Sequence, residues 1–171
     1  MVYMEIAVLL KNSLKIRSKH ATIVVDPMDK STIYNAAIIL GKQEVGTLKL
    51  DEGSVIIQGP GEYEVAGVKI NGTKENGETV YTLIVDDVEI LLGKISSLAK
   101  VQHKLKEAHV VVVDADSVVD SSFITSLATG ALVFYGEQAE TVTKSFSKEN
   151  LKQMGKYQIT RDKIPSEPET I

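Results

Sequence analysis

The sequence contains no cysteine, and only three of its 171 residues are histidine. The absence of cysteine excludes disulfide bonds, thiolate metal sites and a cysteine nucleophile. Basic residues are not in excess either, because 19 lysines and arginines are outnumbered by 23 aspartates and glutamates, giving a formal net charge of −4. An acidic chain lacks the electrostatic footprint of a nucleic-acid-binding protein and is not attracted to anionic membranes.

Long hydrophobic runs are also missing, since no stretch approaches the roughly 20 apolar residues that cross a bilayer. Hydrophobic residues make up 43% of the chain and charged residues 25%, the balance of a soluble globular protein. We therefore predict a cytoplasmic protein. Residues 1–164 are expected to form a single domain, and the polar, proline-containing residues 165–171 a flexible tail.

The pattern of apolar residues changes near residue 95. Before it, short alternating or β-branched runs separated by turn residues predict strands at 2–10, 13–17, 21–25, 36–40, 55–58, 63–70, 79–86 and 88–92. After it, helices predicted at 96–108, 120–129 and 147–154 alternate with strands at 109–113, 131–135 and 157–160. A β-rich first half followed by alternating strands and helices predicts an α/β (α+β) fold.

The segment 56–73 stands out within the β-rich half. Its Gly59-Pro60-Gly61 sequence predicts a compact turn between two strands. Pro60 removes one of the N–H donors that a phosphate-binding loop needs, and no Gly-Lys-Ser/Thr follows, so we interpret the segment as a framework hairpin. Glu62 and Glu64 are two residues apart on one strand and so share a face, but without a partner histidine or metal they are not interpreted as a carboxylate pair for acid–base catalysis.

Several segments, in this order along the chain, resemble the metallo-β-lactamase-fold family of metal-dependent hydrolases, in particular its small bacterial branch of predicted Zn-dependent hydrolases. The most specific is the run from Gly59 to Glu64, which is similar to that branch almost residue for residue. The others are 13–17 with 21–27, 109–113, 131–135, and 151–155 with 162–164. The resemblance implies a four-layer αββα sandwich of the metallo-β-lactamase type, or a form of it with fewer helices.

The resemblance also implies a hydrolytic site with one or two metal ions. Histidine and carboxylate ligands would hold such an ion at about 2.0–2.2 Å, and the bound water would become the nucleophile. This sequence has other residues at the positions that correspond to those ligands. These degenerate positions are Lys42, Glu44 and Thr47 after an early strand, Leu91 and Lys94 in place of a His-Leu-Gly-Asp element, and Gly136 after a late strand. Lysine in place of a bridging aspartate removes an anionic ligand and adds a positive charge, so we predict that the inherited metal site is lost.

The remaining candidates offer two alternatives. His20, His103 and His109 are scattered without ligand spacing and are interpreted as ordinary surface or boundary residues. Asp26, Asp114 and Asp116 follow strand ends, where they either cap turns or hold a hard divalent cation. No serine has the Gly-x-Ser-x-Gly setting of a hydrolase nucleophile, and no catalytic residue is predicted.

Two hypotheses follow for the function. The first is a catalytically degenerate protein, a pseudoenzyme without a cofactor that acts as a binding, structural or regulatory module. The alternative is a metal-dependent hydrolase with a rebuilt carboxylate-based site for zinc or another divalent metal. Edge strands in the β-rich half need covering or pairing, so a homo-oligomer or a protein partner is expected.

Overall fold

A computed structural model describes residues 4–10, 12–28, 34–41, 53–75, 77–101, 108–118, 131–144, 156–159 and 169–170. In chain order the strands are β1 (Met4–Leu10), β2 (Ser13–Arg17), β3 (Thr22–Val25), β4 (Ala36–Ile38), β5 (Val55–Ile57), β6 (Gly61–Val65), β7 (Val68–Glu75), β8 (Glu78–Val85), β9 (Val88–Lys94), β10 (Val110–Asp114), β11 (Ala131–Tyr135), β12 (Lys156–Ile159) and β13 (Glu169–Thr170). Two helices are described, α1 (Ile95–Leu98) and α2 (Ala139–Lys144).

The strands pair into two sheets. The first has six strands in the order β12-β1-β2-β3-β4-β5, and the second has seven in the order β13-β11-β10-β9-β8-β7-β6. Strands β6 to β9 form an antiparallel meander, whereas β9, β10, β11 and β13 run parallel to one another. In the first sheet, β1 pairs on one side with β2 and on the other with β12, far along the chain.

The main core lies between the two sheets, and alternation along the strands sends every second side chain into it. Its largest fully buried members include Ile6, Ile16, Ile23, Ile38, Ile70, Leu83 and Ile90. Burying one such side chain contributes about 1.5–3 kcal/mol. The face-to-face sheets are therefore held mainly by aliphatic side chains contributed from both.

The expected four-layer αββα sandwich is wrong. In the described part of the chain, strands dominate, and the two helices are only four and six residues long. Both lie with the second sheet, where their buried residues Ile95, Leu98 and Val142 join a smaller cluster on its outer face. The helices predicted at 120–129 and 147–154 lie outside the described residues, and the one predicted at 96–108 is helical only to Leu98 before 102–107 leave the described part.

Two tight turns fix the register of the antiparallel meander. Ala66 and Gly67 have φ of 49° and 84°, and Asp86 and Asp87 have φ of 48° and 64°. Positive φ at both central residues is the hairpin turn whose twist matches that of the strands. The hairpin predicted around Asp86-Asp87 is present, but the single strand predicted at 63–70 is wrong, because the Ala66-Gly67 turn divides it into β6 and β7.

Residues 169–170, within the expected flexible tail, form β13 and pair in parallel with the first two residues of β11. Neither described helix has the length and apolar character of a bilayer-spanning segment.

A buried tyrosine holds the turn that precedes β6. Tyr81 is fully buried, and its hydroxyl accepts a hydrogen bond from the N–H of Gly59 at 2.9 Å. The same hydroxyl is 3.3 Å from the Gly59 carbonyl oxygen, to which it can donate. Gly72 lies directly beneath, where a Cβ would be 2.9 Å from that carbonyl oxygen. The Gly59-Pro60-Gly61 turn is therefore fixed against the sheet.

The substitution Tyr81→Phe tests this anchor. We expect the free energy of unfolding to fall by about 1 kcal/mol, because the backbone groups of Gly59 lose a hydrogen-bonding partner. Chemical denaturation measures the change. Tyr63→Phe is the matched control, since the Tyr63 hydroxyl makes only an exposed 3.4 Å contact with the Pro60 carbonyl oxygen, and its effect should stay within about 0.5 kcal/mol. Equal losses in the two variants would contradict the anchor.

Candidate functional site

Three polar side chains end three neighbouring parallel strands of the second sheet. Lys94 ends β9, Asp114 ends β10 and Tyr135 ends β11, and the register pairs Asp114 with both neighbours. Asp114 and Tyr135 each lie two positions after a side chain of the inter-sheet core, so both face the space between the sheets, whereas the Lys94 ammonium group reaches Glu78 at the start of β8. We call this row, together with Asp26 and Asp116, the strand-end site.

Asp26 reaches the same place from the first sheet. It follows β3 with φ of 47°, and its N–H donates to the Ile38 carbonyl oxygen at 2.9 Å. Its Oδ1 accepts hydrogen bonds from the N–H groups of Leu40 at 2.8 Å and Gly41 at 3.0 Å. The carboxylate therefore closes the loop after β4, which is the role of a turn-capping aspartate.

The electrostatics of the site centre on Asp114. It is only 7% exposed, and burial, followed by the negative charges of Asp116 and Asp26, raises its pKa from 3.8 to about 7. Burial also raises the pKa of Asp26 and of Asp116, and the positive charge of Lys94 opposes the rise at all three aspartates. Lys94 is thus a positive charge that acts on all three aspartates of the strand-end site.

Lys94 is held in position by Glu78 at the start of β8. Its Nζ lies 3.4 Å from Glu78 Oε1, and its side chain is 19% exposed. The other oxygen of Glu78 accepts a short hydrogen bond from the buried Ser97 hydroxyl on α1. This hydrogen bond, and then the charge of Lys94, lower the pKa of Glu78. The ammonium group is therefore fixed by a partner that is itself oriented by the helix.

Tyr135 contributes a hydroxyl that is buried and unsatisfied. The side chain is 2% exposed, and its hydroxyl has no hydrogen-bond partner among the described residues. Burial, and then the charges of Asp114, Asp26 and Asp116, raise the pKa of Tyr135, so its neutral hydroxyl lies beside the acidic cluster. Buried hydroxyls are normally paired, so this group is available to a water molecule or a ligand.

Gly136 follows Tyr135 and closes the site from one side. Its φ is +101°, and a Cβ built on it would be 2.7 Å from Asp114 Oδ1 and 3.3 Å from the backbone of Ala115. A side chain at this position would collide with Asp114. The resemblance assigned a final histidine ligand to the position of Gly136, and a histidine there would collide with the Asp114 carboxylate.

The other predicted site residues lie elsewhere. Leu91 is buried on the outer face of the second sheet, opposite to the face of Lys94. His109 precedes β10 at the end remote from Asp114, and its Nδ1 accepts a hydrogen bond from the Glu89 N–H at 2.9 Å. His20 is exposed in the turn between β2 and β3. Lys42, Glu44, Thr47 and His103 lie outside the described residues.

Structural comparison decides the fold. A protein from Thermotoga maritima, assigned as a Zn-dependent hydrolase of the metallo-β-lactamase superfamily, is similar with a TM-score of 0.71 and 16% identity, covering 98% of this chain and 97% of the other. The chain has the metallo-β-lactamase fold. This confirms the resemblance that the sequence predicted, at the level of the fold.

Two further solved structures are similar but more distant. One, from Parabacteroides distasonis and assigned as a metal-dependent hydrolase, has a TM-score of 0.61 and 11% identity over 85% of this chain and 89% of the other. A metallo hydrolase from Ignicoccus hospitalis has a TM-score of 0.56 and 10% identity over 92% of this chain and 97% of the other. Comparison of the sequence with protein-family models and with curated proteins gave no match.

The residues that the structure describes do not fit the metal centre that the metallo-β-lactamase fold implies. Among the described residues, no three histidine, aspartate or glutamate side chains converge in a group that could hold a metal ion. The strand-end site instead contains an ammonium group, and neither described histidine lies in it.

The sequence predicted the three aspartates of the strand-end site as candidates and Lys94 as an obstacle to metal binding. It missed Tyr135, Glu78 and Ser97. Tyr135 ends an apolar strand, and nothing local separates such a tyrosine from a core residue. Its alignment with Asp114 depends on the pairing of β10 with β11, which no short motif specifies.

Proposed function

We propose that this chain is a metal-free, non-hydrolytic protein of the metallo-β-lactamase fold that acts by binding. The observation that carries the proposal is the position of Lys94 beside Asp114 and within the field of Asp26 and Asp116. A fixed ammonium group supplies the positive charge that a bound metal would otherwise give to these carboxylates. Lys94 thus acts as an internal substitute for a cation.

The energetics support this assignment. A second unit charge about 4 Å from the ammonium group would be repelled by roughly 4 kcal/mol at an effective dielectric constant of about 20, and a divalent ion by more. The carboxylates would have to offset that repulsion, but burial has already raised the pKa of Asp114 to about 7, so much of its population is neutral at physiological pH. Lys94 and Asp114 therefore both weaken the site as a metal ligand set.

A rebuilt carboxylate site for a divalent metal is the second candidate. It is favoured by the influence of the charges of Asp26 and Asp116 on Asp114, and by the Tyr135 hydroxyl, which has no hydrogen-bond partner among the described residues. Oxygen ligands of this kind suit magnesium or calcium. Lys94 is the residue that separates the two candidates.

Elemental analysis of the purified protein, before and after dialysis against zinc, manganese or magnesium, distinguishes them. We expect no stoichiometric metal in the wild type and no metal-induced rise in Tm, since ligands that bind the native state raise it. Lys94→Met should gain measurable metal affinity because it removes the ammonium group, whereas Lys144→Met, which removes an exposed lysine from α2, should not. One tightly bound metal per wild-type chain, lost in Asp114→Ala, would overturn the proposal in favour of the second candidate.

A further inference from the structure

The outer face of the antiparallel meander forms an open groove of about 650 Å³, which we call the outer groove. It lies on the opposite side of the second sheet from the strand-end site. One row of its floor runs in register from Glu64 on β6 through Lys69 and Ile84 to Glu89 on β9. Ile84 is 43% exposed there. The floor therefore combines accessible apolar surface with charged side chains.

The charge of the outer groove is predominantly negative. A second row begins with the exposed Glu62 on β6 and ends with Leu91 on β9. Across the two rows three glutamates are accompanied by one lysine, and Glu62 and Glu64 stand together on the outermost strand. This surface complements a ligand that carries positive charge.

Among the described strands, β6 forms one edge of the second sheet. It ends the order of the second sheet, and no described strand pairs with its other side. The two-residue turn at Ala66-Gly67 makes Val65 and Val68 the hydrogen-bonded closing pair. Because hydrogen-bonded and non-bonded positions alternate, the N–H and C=O groups of Glu62 and Glu64 point away from β7, in the plane of the sheet. An exposed edge of this kind is a template for an added strand.

The two faces of β6 specify different side chains on an added strand. The glutamates lie on the outer face, whereas Tyr63 and Val65 are half-buried and pack against the inter-sheet core. A strand placed beside β6 continues both rows at a spacing of about 4.8 Å. Its outer side chains would meet carboxylates, and its inner side chains would meet apolar surface.

A second copy of this chain fits the edge poorly. An antiparallel pair of β6 strands centred on Tyr63 would place Glu62 of each copy opposite Glu64 of the other. Like charges directly opposite one another in a sheet are destabilising. The edge therefore favours a basic partner over self-association.

We propose that β6 and the outer groove bind an extended segment of a partner protein in which lysine or arginine alternates with apolar residues, by addition of that segment as a strand. Main-chain hydrogen bonds to Glu62 and Glu64 supply affinity, and their carboxylates select the basic side chains. The inference goes beyond the proposed function and does not depend on the metal content of the strand-end site, since the two surfaces lie on opposite faces of the sheet.

The probe is a fluorescein-labelled heptapeptide of alternating lysine and valine, with binding measured by fluorescence anisotropy at low and high salt. We expect saturable binding that weakens as salt rises, and about tenfold weaker binding to the double variant Glu62→Gln and Glu64→Gln. Glu140→Gln removes an exposed carboxylate from α2 and should leave binding unchanged. It matches the charge change of the single variant Glu64→Gln, whose binding is measured beside it. A glutamate–valine peptide of the same pattern should not bind.

Strand addition is separated from simple charge attraction by Glu64→Pro compared with Glu64→Gln. Both remove the charge, but only proline removes the outward N–H, and it leaves the ladder to β7 intact. We expect weaker binding to the proline variant, provided that its unfolding curve shows a folded protein, and weaker binding of a peptide N-methylated at alternate amides. The proposal would be overturned if the wild type did not bind the lysine–valine peptide, or if it bound the N-methylated peptide equally well. It would also be overturned if light scattering showed a wild-type dimer that Glu64→Pro dissociates.

Discussion

Replacing Asp114 with asparagine is expected to raise the free energy of unfolding by about 2–3 kcal/mol at pH 8 and to leave it nearly unchanged at pH 4. In the folded protein the pKa of Asp114 is raised from 3.8 to about 7. The folded state therefore holds a proton that the unfolded state releases from about pH 4 upward. Stability of the wild type should fall as pH rises through that window and level off above pH 7, whereas the neutral amide lacks this dependence.

The magnitude follows from the pKa difference. Each pKa unit is equivalent to about 1.36 kcal/mol, so the full pKa difference of Asp114 between the folded and unfolded states sets an upper limit near 4 kcal/mol. Relaxation of the surroundings when the carboxylate ionises reduces the expected gain below this limit.

Denaturation in guanidinium chloride at pH 4, 6 and 8 measures the effect. Asp87→Asn is the control, because it removes an exposed carboxylate from a turn of the same sheet and should give no pH-dependent gain. A variant Asp114→Asn that is less stable than the wild type at pH 8 would show that the structure depends on the ionised carboxylate, and it would contradict the prediction.

Gly136→Ala is expected to lower the free energy of unfolding by about 3–4 kcal/mol. Two costs add. A φ of +101° lies in a region that residues with a side chain rarely adopt, and the added Cβ would be 2.7 Å from Asp114 Oδ1. Asp114 is buried and has little room to retreat, so either the carboxylate or the backbone after β11 must move.

Gly77→Ala separates the two costs. Gly77 has a φ of +87°, but nothing lies within 4 Å of a Cβ built on it. The control should therefore lose only the backbone cost, about 1 kcal/mol. Chemical denaturation of both variants at one pH gives the comparison. Similar losses at the two positions would show that the site accepts a side chain at Gly136, and would reopen that position to a ligand.

Much of the β-sheet framework could be predicted from the sequence, because alternation and turn residues are local signals. Asp86-Asp87 between two apolar runs is such a signal, and the hairpin around it was predicted correctly. The turn at Ala66-Gly67 was missed, since alanine rarely takes positive φ and no turn-forming pair such as Asn-Gly stands there. The helix predicted at 96–108 was too long, because the apolar spacing of Leu98 and Val101 does not show that α1 ends at Leu98.

The strand-end site was predictable only in part. A position after a buried strand singled out Asp26 and Asp114, but which strand ends meet depends on sheet order and register. The strands β3 and β10 come from different halves of the chain and lie in different sheets. They must end at the same end of the two packed sheets before those two carboxylates can influence each other. The orientation of Tyr135 beside Asp114, and the contact of Gly136 with Asp114, depend on the pairing of β10 with β11, which no local pattern specifies.

The pairing of β1 with β12 has a consequence for the order in which the strands pair during synthesis. Glu5 on β1 accepts a hydrogen bond from Gln158 on β12, a contact that spans 153 positions of sequence. The meander from β6 to β9, by contrast, joins strands that follow one another directly. On a ribosome the meander can close while one edge of β1 still has no partner, because β12 emerges only after all the strands of the meander.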